Sequence, residues 1–345
     1  MRLISLSVKN VRTHDNYSLT LHPTVTLVTG ANASGKTSLI EAIYIALQGS
    51  SFKGSDMEVI QSKAPWYRID ISFDTKVIRT VKFNPSLVSG KKQFEIDSKK
   101  SYRLTHANKY PVVLFEPDEL RLINGSPARR RQFMDRFISQ LDPEYGLSLR
   151  RYERALKQRN MLLKSHVTNN SLFVWDISLS KYGAYITNRR IEIIDQLKPR
   201  LATIYKDMAN SDDIVTIRYS AQYNDSIEQK ILTELHQTAD RDRNLGSTSV
   251  GPHRHDIIFE LNGVLASSVA SRGETRTLVL ALKFLEVALL HEKTEKPPVI
   301  LLDDVFSELD EIRQTALMER FSGYQTIITS VKAPVTNYPI TQLSR

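Results

Sequence analysis

Eight residues near the start of this chain constrain its fold more than any other feature. Gly30-Ala31-Asn32-Ala33-Ser34-Gly35-Lys36-Thr37 has the spacing G-x-x-x-x-G-K-[ST]. Val25 and Leu27 show the alternation of a half-buried strand before it. Leu39, Ile40, Ile43, Ala46 and Leu47 recur at helical spacing after it, and Gly49 marks a stop. Strand, loop and helix in that order make a phosphate cradle. The glycines let the loop curl until backbone N–H groups point inward, and the helix N-terminus adds partial positive charge. Lys36 is placed to reach the β- and γ-phosphates of ATP, and the Thr37 hydroxyl to ligate Mg²⁺. Every residue from Gly30 to Thr37, with Ser38 in the first helical turn, is therefore an expected nucleotide contact.

Far downstream, Val299-Ile300-Leu301-Leu302 ends in Asp303-Asp304. Alone this reads as a strand running into an acidic turn. With the phosphate loop upstream it reads as a Walker B pattern. Asp303 would hold the Mg²⁺ shell, and Asp304 would orient or deprotonate the attacking water.

Ser271-Arg272-Gly273-Glu274 opens a helix whose Leu278, Ala281, Leu282, Leu285 and Leu289 share one face. Ser-x-x-Glu is a capping box, each side chain satisfying a free backbone N–H. The segment also resembles the signature of ABC-type ATPases, and the two readings are compatible because a capped helix start is an anion site. In that class the signature of one subunit completes the ATP site of another. The resemblance thus implies an ATP-dependent homodimer with Ser271 at the trans phosphate.

The remaining pattern separates into blocks. Alternation at Leu6 and Val8, at Tyr67, Ile69, Ile71 and Phe73, and around Phe94 and Ile96 predicts strands, and Pro111 to Phe115 a buried one. Ser126-Pro127 then reads as an N-cap with proline at the first helical position. Phe133, Phe137 and Leu141 continue that helix, Leu149, Tyr152, Leu156 and Leu163 mark a second, and Trp175 through Leu201 a third, longer one. Strands return at Val215, Ile217 and Tyr219 and near Ile257 and Phe259. The expected fold is α/β: an ABC-type P-loop ATPase head with mixed sheets and an inserted α-helical second domain. Residues 1–116 and 212–345 would form the ATPase lobes, and 117–211 the helical domain.

An excess of 47 Lys+Arg over 38 Asp+Glu gives a net charge of +9, which favours an anionic partner such as nucleic acid. Arg129, Arg130, Arg131, Arg136, Arg150, Arg151, Arg154, Lys157, Arg159 and Lys164 concentrate charge in the helical block. On helices they could track a phosphate backbone without reading sequence, or form a solvated face with internal pairing. There is no cysteine, hence no disulfide or thiolate metal site. With no signal-like N-terminus and no membrane-length apolar run, the expectation is a cytoplasmic protein without membrane contact. His253 and His255 lack the further ligands a zinc site needs.

Three stretches resemble the RecF recombination-repair family: Pro117 to Asp135, Leu302-Asp303-Asp304-Val305-Phe306-Ser307-Glu308-Leu309-Asp310, and Gly251-Pro252-His253-Arg254 with the Asn262-Gly263 turn. The likeness runs from the first strand to about Thr329. It implies a slow, DNA-stimulated ATPase that dimerises with ATP on DNA at single-strand/double-strand junctions. It further implies RecR- and RecO-type mediators as partners in recombinase loading. It also puts Arg12 near the nucleotide and Thr329-Ser330 where a γ-phosphate sensor would sit. Ala33, Arg272 and His255 depart from the family's usual residues, and none of these departures removes a phosphate or Mg²⁺ ligand. A transporter subunit would not carry the 117–135 segment, an SMC-type head would need a long heptad insertion, and a nuclease an additional acidic cluster. A DNA-binding scaffold with inactive motifs is the remaining alternative. The joint presence of Lys36, Asp303 and Asp304 speaks against it.

Overall fold

A computed structural model describes residues 1–165, 169–223, 226–331 and 340–343. The chain divides into two compact units, residues 1–119 with 286–345, and residues 120–285. The first unit opens with strands β1 (Leu3–Val11), β2 (His14–Thr20) and β3 (Val25–Thr29), then helix α1 (Lys36–Gln48) and the short α2 (Asp56–Val59). Strands β4 (Tyr67–Phe73), β5 (Ile78–Phe83), β6 (Lys92–Ile96), β7 (Lys99–Ser101) and β8 (Val112–Phe115) follow. The antiparallel sheet β2-β1-β4-β5-β6-β7 keeps the predicted alternation: Tyr67, Ile69, Ile71 and Phe73 are buried and their neighbours are not.

The second unit holds helices α3 (Pro127–Leu141), α4 (Pro143–Lys164) and α5 (Asn169–Ala209), where three helices were expected. Ser126 sits at the cap position of α3 with extended backbone, but its side chain makes no capping bond. Next come β9 (Val215–Tyr219), α6 (Ile227–Gln237), α7 (Ala239–Leu245), β10 (Ile257–Leu261), β11 (Val264–Leu265) and α8 (Ala266–Val269). Helix α9 (Arg272–Thr294) begins in this unit, and its residues from Glu286 on count with the first. The first unit closes with β12 (Val299–Asp303), α10 (Glu311–Arg320), β13 (Thr326–Ser330) and β14 (Ile340–Gln342).

A second, parallel sheet runs in the order β14-β3-β13-β12-β8. Here the structure corrects the pattern reading. Strand β3 is not half-buried; all five of its residues are covered. A central strand of a parallel sheet is buried on both faces, so its side chains need no alternation. Helix α1 makes contacts with strands of both sheets, β1, β4 and β5 on one side and β12, β13 and β8 on the other. Ala42, Tyr44 and Ile45 are consequently buried along with the predicted stripe, and a single apolar face would not have sufficed. Helix α9 deviates in the same way, with Val279, Leu280 and Phe284 buried as well as the face from Leu278 to Leu289.

Several of the cations in the helical block serve packing. Arg159 is fully buried, donating to Asp176 and Asp242 at 2.6 Å each and to Thr248 Oγ1 at 2.9 Å. Arg130 forks onto Asp256 at 2.8 and 2.7 Å, and Arg131 donates to the His255 carbonyl at 2.9 Å. Arg190, on α5, joins Asp135 at 2.7 Å to the carbonyl of Pro252 at 2.8 Å. Sequence spacing could not separate these from solvated cations, because their carboxylate partners lie far along the chain. Arg159→Met should cost about 3–5 kcal/mol, since it strands two buried carboxylates. Urea unfolding of the variant against wild type measures this.

Candidate active site

Parallel register assembles the site. Asp303, the last residue of β12, pairs with Thr329 of β13, which in turn pairs with Val28 of β3. The carboxyl ends of these strands therefore share one edge, where ligands of open α/β sheets bind. From β3 the chain enters the loop Gly30–Gly35. Ala33 and Gly35 take left-handed backbone at φ 62° and 94°. For Ala33 this costs roughly 1 kcal/mol that glycine would avoid. At Gly35 a side chain is excluded, because a Cβ would lie 2.6 Å from Thr13 Oγ1 and closer still to His14 Nε2.

Lys36 is 4% exposed, yet its ammonium faces only oxygens: the carbonyls of Gly30 and Ala31 at 3.0 and 3.1 Å and Asp304 Oδ2 at 3.8 Å. Thr37 Oγ1 donates to Asp303 Oδ1 at 2.8 Å, and Thr329 Oγ1 donates to the same oxygen at 2.8 Å. A threonine hydroxyl used as a donor to a carboxylate keeps its lone pairs free to face a metal ion. Asp304 adopts φ 52°, held by its N–H on Thr329 Oγ1 at 3.0 Å. Burial raises the pKa of its carboxyl, against the pull of Lys36. Ser38 lies in the first turn of α1, with its N–H on the Gly35 carbonyl at 2.9 Å.

Ser34 Oγ and Asp304 Oδ1 are buried and have no hydrogen-bond partner among the described residues. One can donate to an anion and the other accept from water, so the donor set fits a magnesium polyphosphate. Arg12 forks onto Glu41 of α1 at 2.8 and 2.7 Å, and this hydrogen bond raises its guanidinium pKa further. Sequence reading missed Thr13, His14, Glu41 and Lys53. His14 Nε2 meets the Gly35 carbonyl at 3.1 Å, and Lys53 lies 3.8 Å from Asp303 Oδ2. No motif carries them; only a lone acid in the apolar α1 gave a hint.

Ser271 belongs to the second unit and forms the predicted capping box. Its N–H donates to Glu274 Oε2 at 2.7 Å, and its Oγ accepts from the Glu274 N–H at 3.2 Å. In the same unit Gly251, at φ 120°, clears the Tyr152 hydroxyl. That hydroxyl meets His253 Nδ1 at 2.6 Å, while His253 Nε2 reaches the Thr248 carbonyl at 3.1 Å. His255 sits between Tyr219 and Tyr223 at 3.0 and 3.2 Å. These histidines belong to a polar core of tyrosines and arginines.

The N-terminal domain model of the RecF/RecN/SMC family matches residues 2–342. The DNA replication and repair protein RecF of Clostridium acetobutylicum is 33% identical over 341 residues, covering 95% of this chain and 92% of its own. This chain belongs to the RecF family. RecF of Staphylococcus aureus is 31% identical over 358 residues, covering 99% and 96% of the two chains. The solved structure of the recombination mediator protein RecF-ATP in the RecFOR pathway superposes with a TM-score of 0.84 at 30% identity, covering 97% of this chain and 93% of that one. The RecF-ATPrS structure gives 0.87 at 29%, with 99% and 96% covered. An SMC head bound to the C-winged helix domain of ScpA, at 13% identity and TM-score 0.52, shares the fold alone. The ABC-type ATPase head with its helical insertion is thus the fold of this RecF-family chain. No helix among the described residues is long and apolar enough to cross a membrane.

Burial pushes both His253 and His255 down to about 4 from an ordinary 6.5. Between those values the unfolded chain binds protons that the folded one refuses. Stability is therefore complete above pH 6.5 and falls as pH drops towards 4, by up to about 3 kcal/mol per histidine. Urea midpoints across that window should decline, and less steeply for His255→Asn than for wild type.

Proposed function

We propose that this chain is an ATP-dependent DNA-repair ATPase that works as a switch. ATP closes two copies into a dimer on DNA, and slow hydrolysis releases them. The observation that carries the reading is the convergence of Lys36, Thr37, Asp303, Asp304 and Thr329 on one strand edge, with two buried polar atoms left for a ligand. Lys36 would exchange its loop carbonyls for the β- and γ-phosphate oxygens. The N–H groups of Gly30 to Ser38 would cradle the phosphates, with Arg12 beside helix α1. Thr37 and, through its carboxylate, Asp303 would hold Mg²⁺, which when bound supplies charge neutralisation of the phosphoryl oxygens. Asp304 would orient the attacking water and accept its proton at Oδ1, a role its raised pKa favours. The capped start of α9, with Ser271, would serve the γ-phosphate held by the partner copy, making ATP the bridge between subunits.

For DNA, the exposed cations of α4 support one candidate surface. Arg150, Arg154, Lys157 and Lys164 are exposed, and spacings of four, three and seven residues place them on one face of α4. We assign this row to the phosphate backbone of a duplex, contacted without base reading. By family likeness the duplex adjoins a single-stranded gap, and RecO- and RecR-type proteins act with this one in loading a recombinase.

Sedimentation with ATP, with ADP and without nucleotide tests the switch. Wild type should dimerise with ATP alone, Lys36→Met should stay monomeric throughout, and Asp304→Asn should persist as a dimer with ATP. A wild type monomeric under every condition would remove the composite-site reading. Replacing the four α4 cations by glutamine should lower the slope of log affinity against log salt by about 3 to 4 on duplex DNA. An unchanged slope would place the backbone contact elsewhere.

A further inference from the structure

We infer that Lys53 is an internal counter-ion of Asp303, which lets a divalent cation into the site only together with a nucleotide. This rests on the nucleotide-site reading and adds an order of loading to it. The two oxygens of Asp303 differ. Oδ1 is saturated by the hydroxyls of Thr37 and Thr329, each at 2.8 Å, whereas Oδ2 faces the Lys53 ammonium at 3.8 Å. The neighbouring Asp304 has Lys36 at the same 3.8 Å. Two carboxylates thus stand against two ammonium groups, and the strand edge is electrically neutral by itself.

The position of Lys53 is built from helix α1 outward. Ser51 Oγ accepts the N–H of Lys53 at 2.9 Å and that of Gly54 at 3.1 Å, and donates its own proton to Glu41. Glu41 is anchored in turn by the Arg12 fork. Between them Phe52 packs edge-on against Tyr44 of α1, ring centroids 5.3 Å apart, and the Lys53 ammonium lies 5.7 Å from the Phe52 ring. Arg12, Glu41, Ser51 and Lys53 therefore form one relay that ends on the carboxylate assigned to the metal. The relay gives Arg12 a second task, for its fork holds the loop that carries Lys53.

The consequence follows from charge. A bare divalent cation approaching Oδ2 meets an ammonium and gains no net attraction from a neutral quartet. A polyphosphate brings several negative charges, draws both lysines to its oxygens, and leaves Oδ2 open to the cation. Metal and nucleotide then enter as one unit, and the acidic pair cannot sequester a free cation.

Mn²⁺ is the probe. Its binding to the full chain is followed by the electron paramagnetic resonance of free Mn²⁺, without nucleotide and with a non-hydrolysable ATP analogue. Without nucleotide, Lys53→Met should bind Mn²⁺ roughly tenfold more tightly than wild type, the size expected from one half-exposed charge about 4 Å away. Lys53→Arg should behave as wild type, and adding Asp303→Asn to Lys53→Met should abolish the gain. Wild type should bind Mn²⁺ tightly only with the analogue. Equal nucleotide-free affinities for wild type and a folded Lys53→Met, or tight Mn²⁺ binding by wild type alone, would overturn the inference while leaving the nucleotide site standing. Failure of wild type to bind the analogue at all would instead remove the site, and the inference with it.

Discussion

One carboxylate oxygen ties the first unit together. Asp303 Oδ1 takes hydroxyl protons from Thr37, at the start of α1, and from Thr329, at the end of β13. Thr37 and Asp303 are 266 residues apart in the chain. The bond exists only because β12, β13 and β3 lie parallel and in register, with their carboxyl ends on one edge. Burial makes that node directional, since hydrogen bonds to an ionised oxygen shielded from water are short and hold their geometry. The curl of the phosphate loop, the left-handed turn of Asp304 and the approach of Lys36 and Lys53 are all arranged around it.

The second unit uses the same physics for a different end. Its helices and small sheet are joined by arginines that have left the surface. Arg159 closes on Asp176 and Asp242, and Arg190 on Asp135 and the Pro252 carbonyl. Such pairs stabilise little by themselves because desolvation offsets their attraction. Breaking one is costly, since removing a partner leaves a buried charge uncompensated. The Gly251–His255 segment is threaded through this network with its histidines held neutral. That gives the Gly251-Pro252-His253 segment of this chain a physical basis. The same division explains why the number of Lys and Arg residues overstates the cationic surface. Some of those cations are internal, and four of the exposed ones on α4 fall in one row.

Local chemistry was legible in the sequence wherever a function needs residue types at fixed spacing. The phosphate loop, the apolar strand before Asp303-Asp304, the Ser271–Glu274 box and the Gly49 stop each depend on a few neighbouring backbone positions. Helix periodicity likewise reported α3, α4 and α5. Burial was legible only in part. A pattern of one apolar stripe cannot say that α1 lies between two sheets, or that β3 is central rather than marginal. Ala42 and Ile45 of α1 carry no mark that distinguishes a second covered face.

The sequence alone thus determined the elements, their order and the groups able to handle a phosphate, because each follows from bonding within a few residues. Tertiary structure alone decided which charges are used and which are spent inside. Whether an arginine is solvated depends on where a distant carboxylate arrives, as Asp242 does for Arg159 across 83 residues. It also decided that Lys53 meets Asp303 and that Arg12 is bound to Glu41. Those contacts arise from strand register and loop closure, which spacing along the chain does not encode.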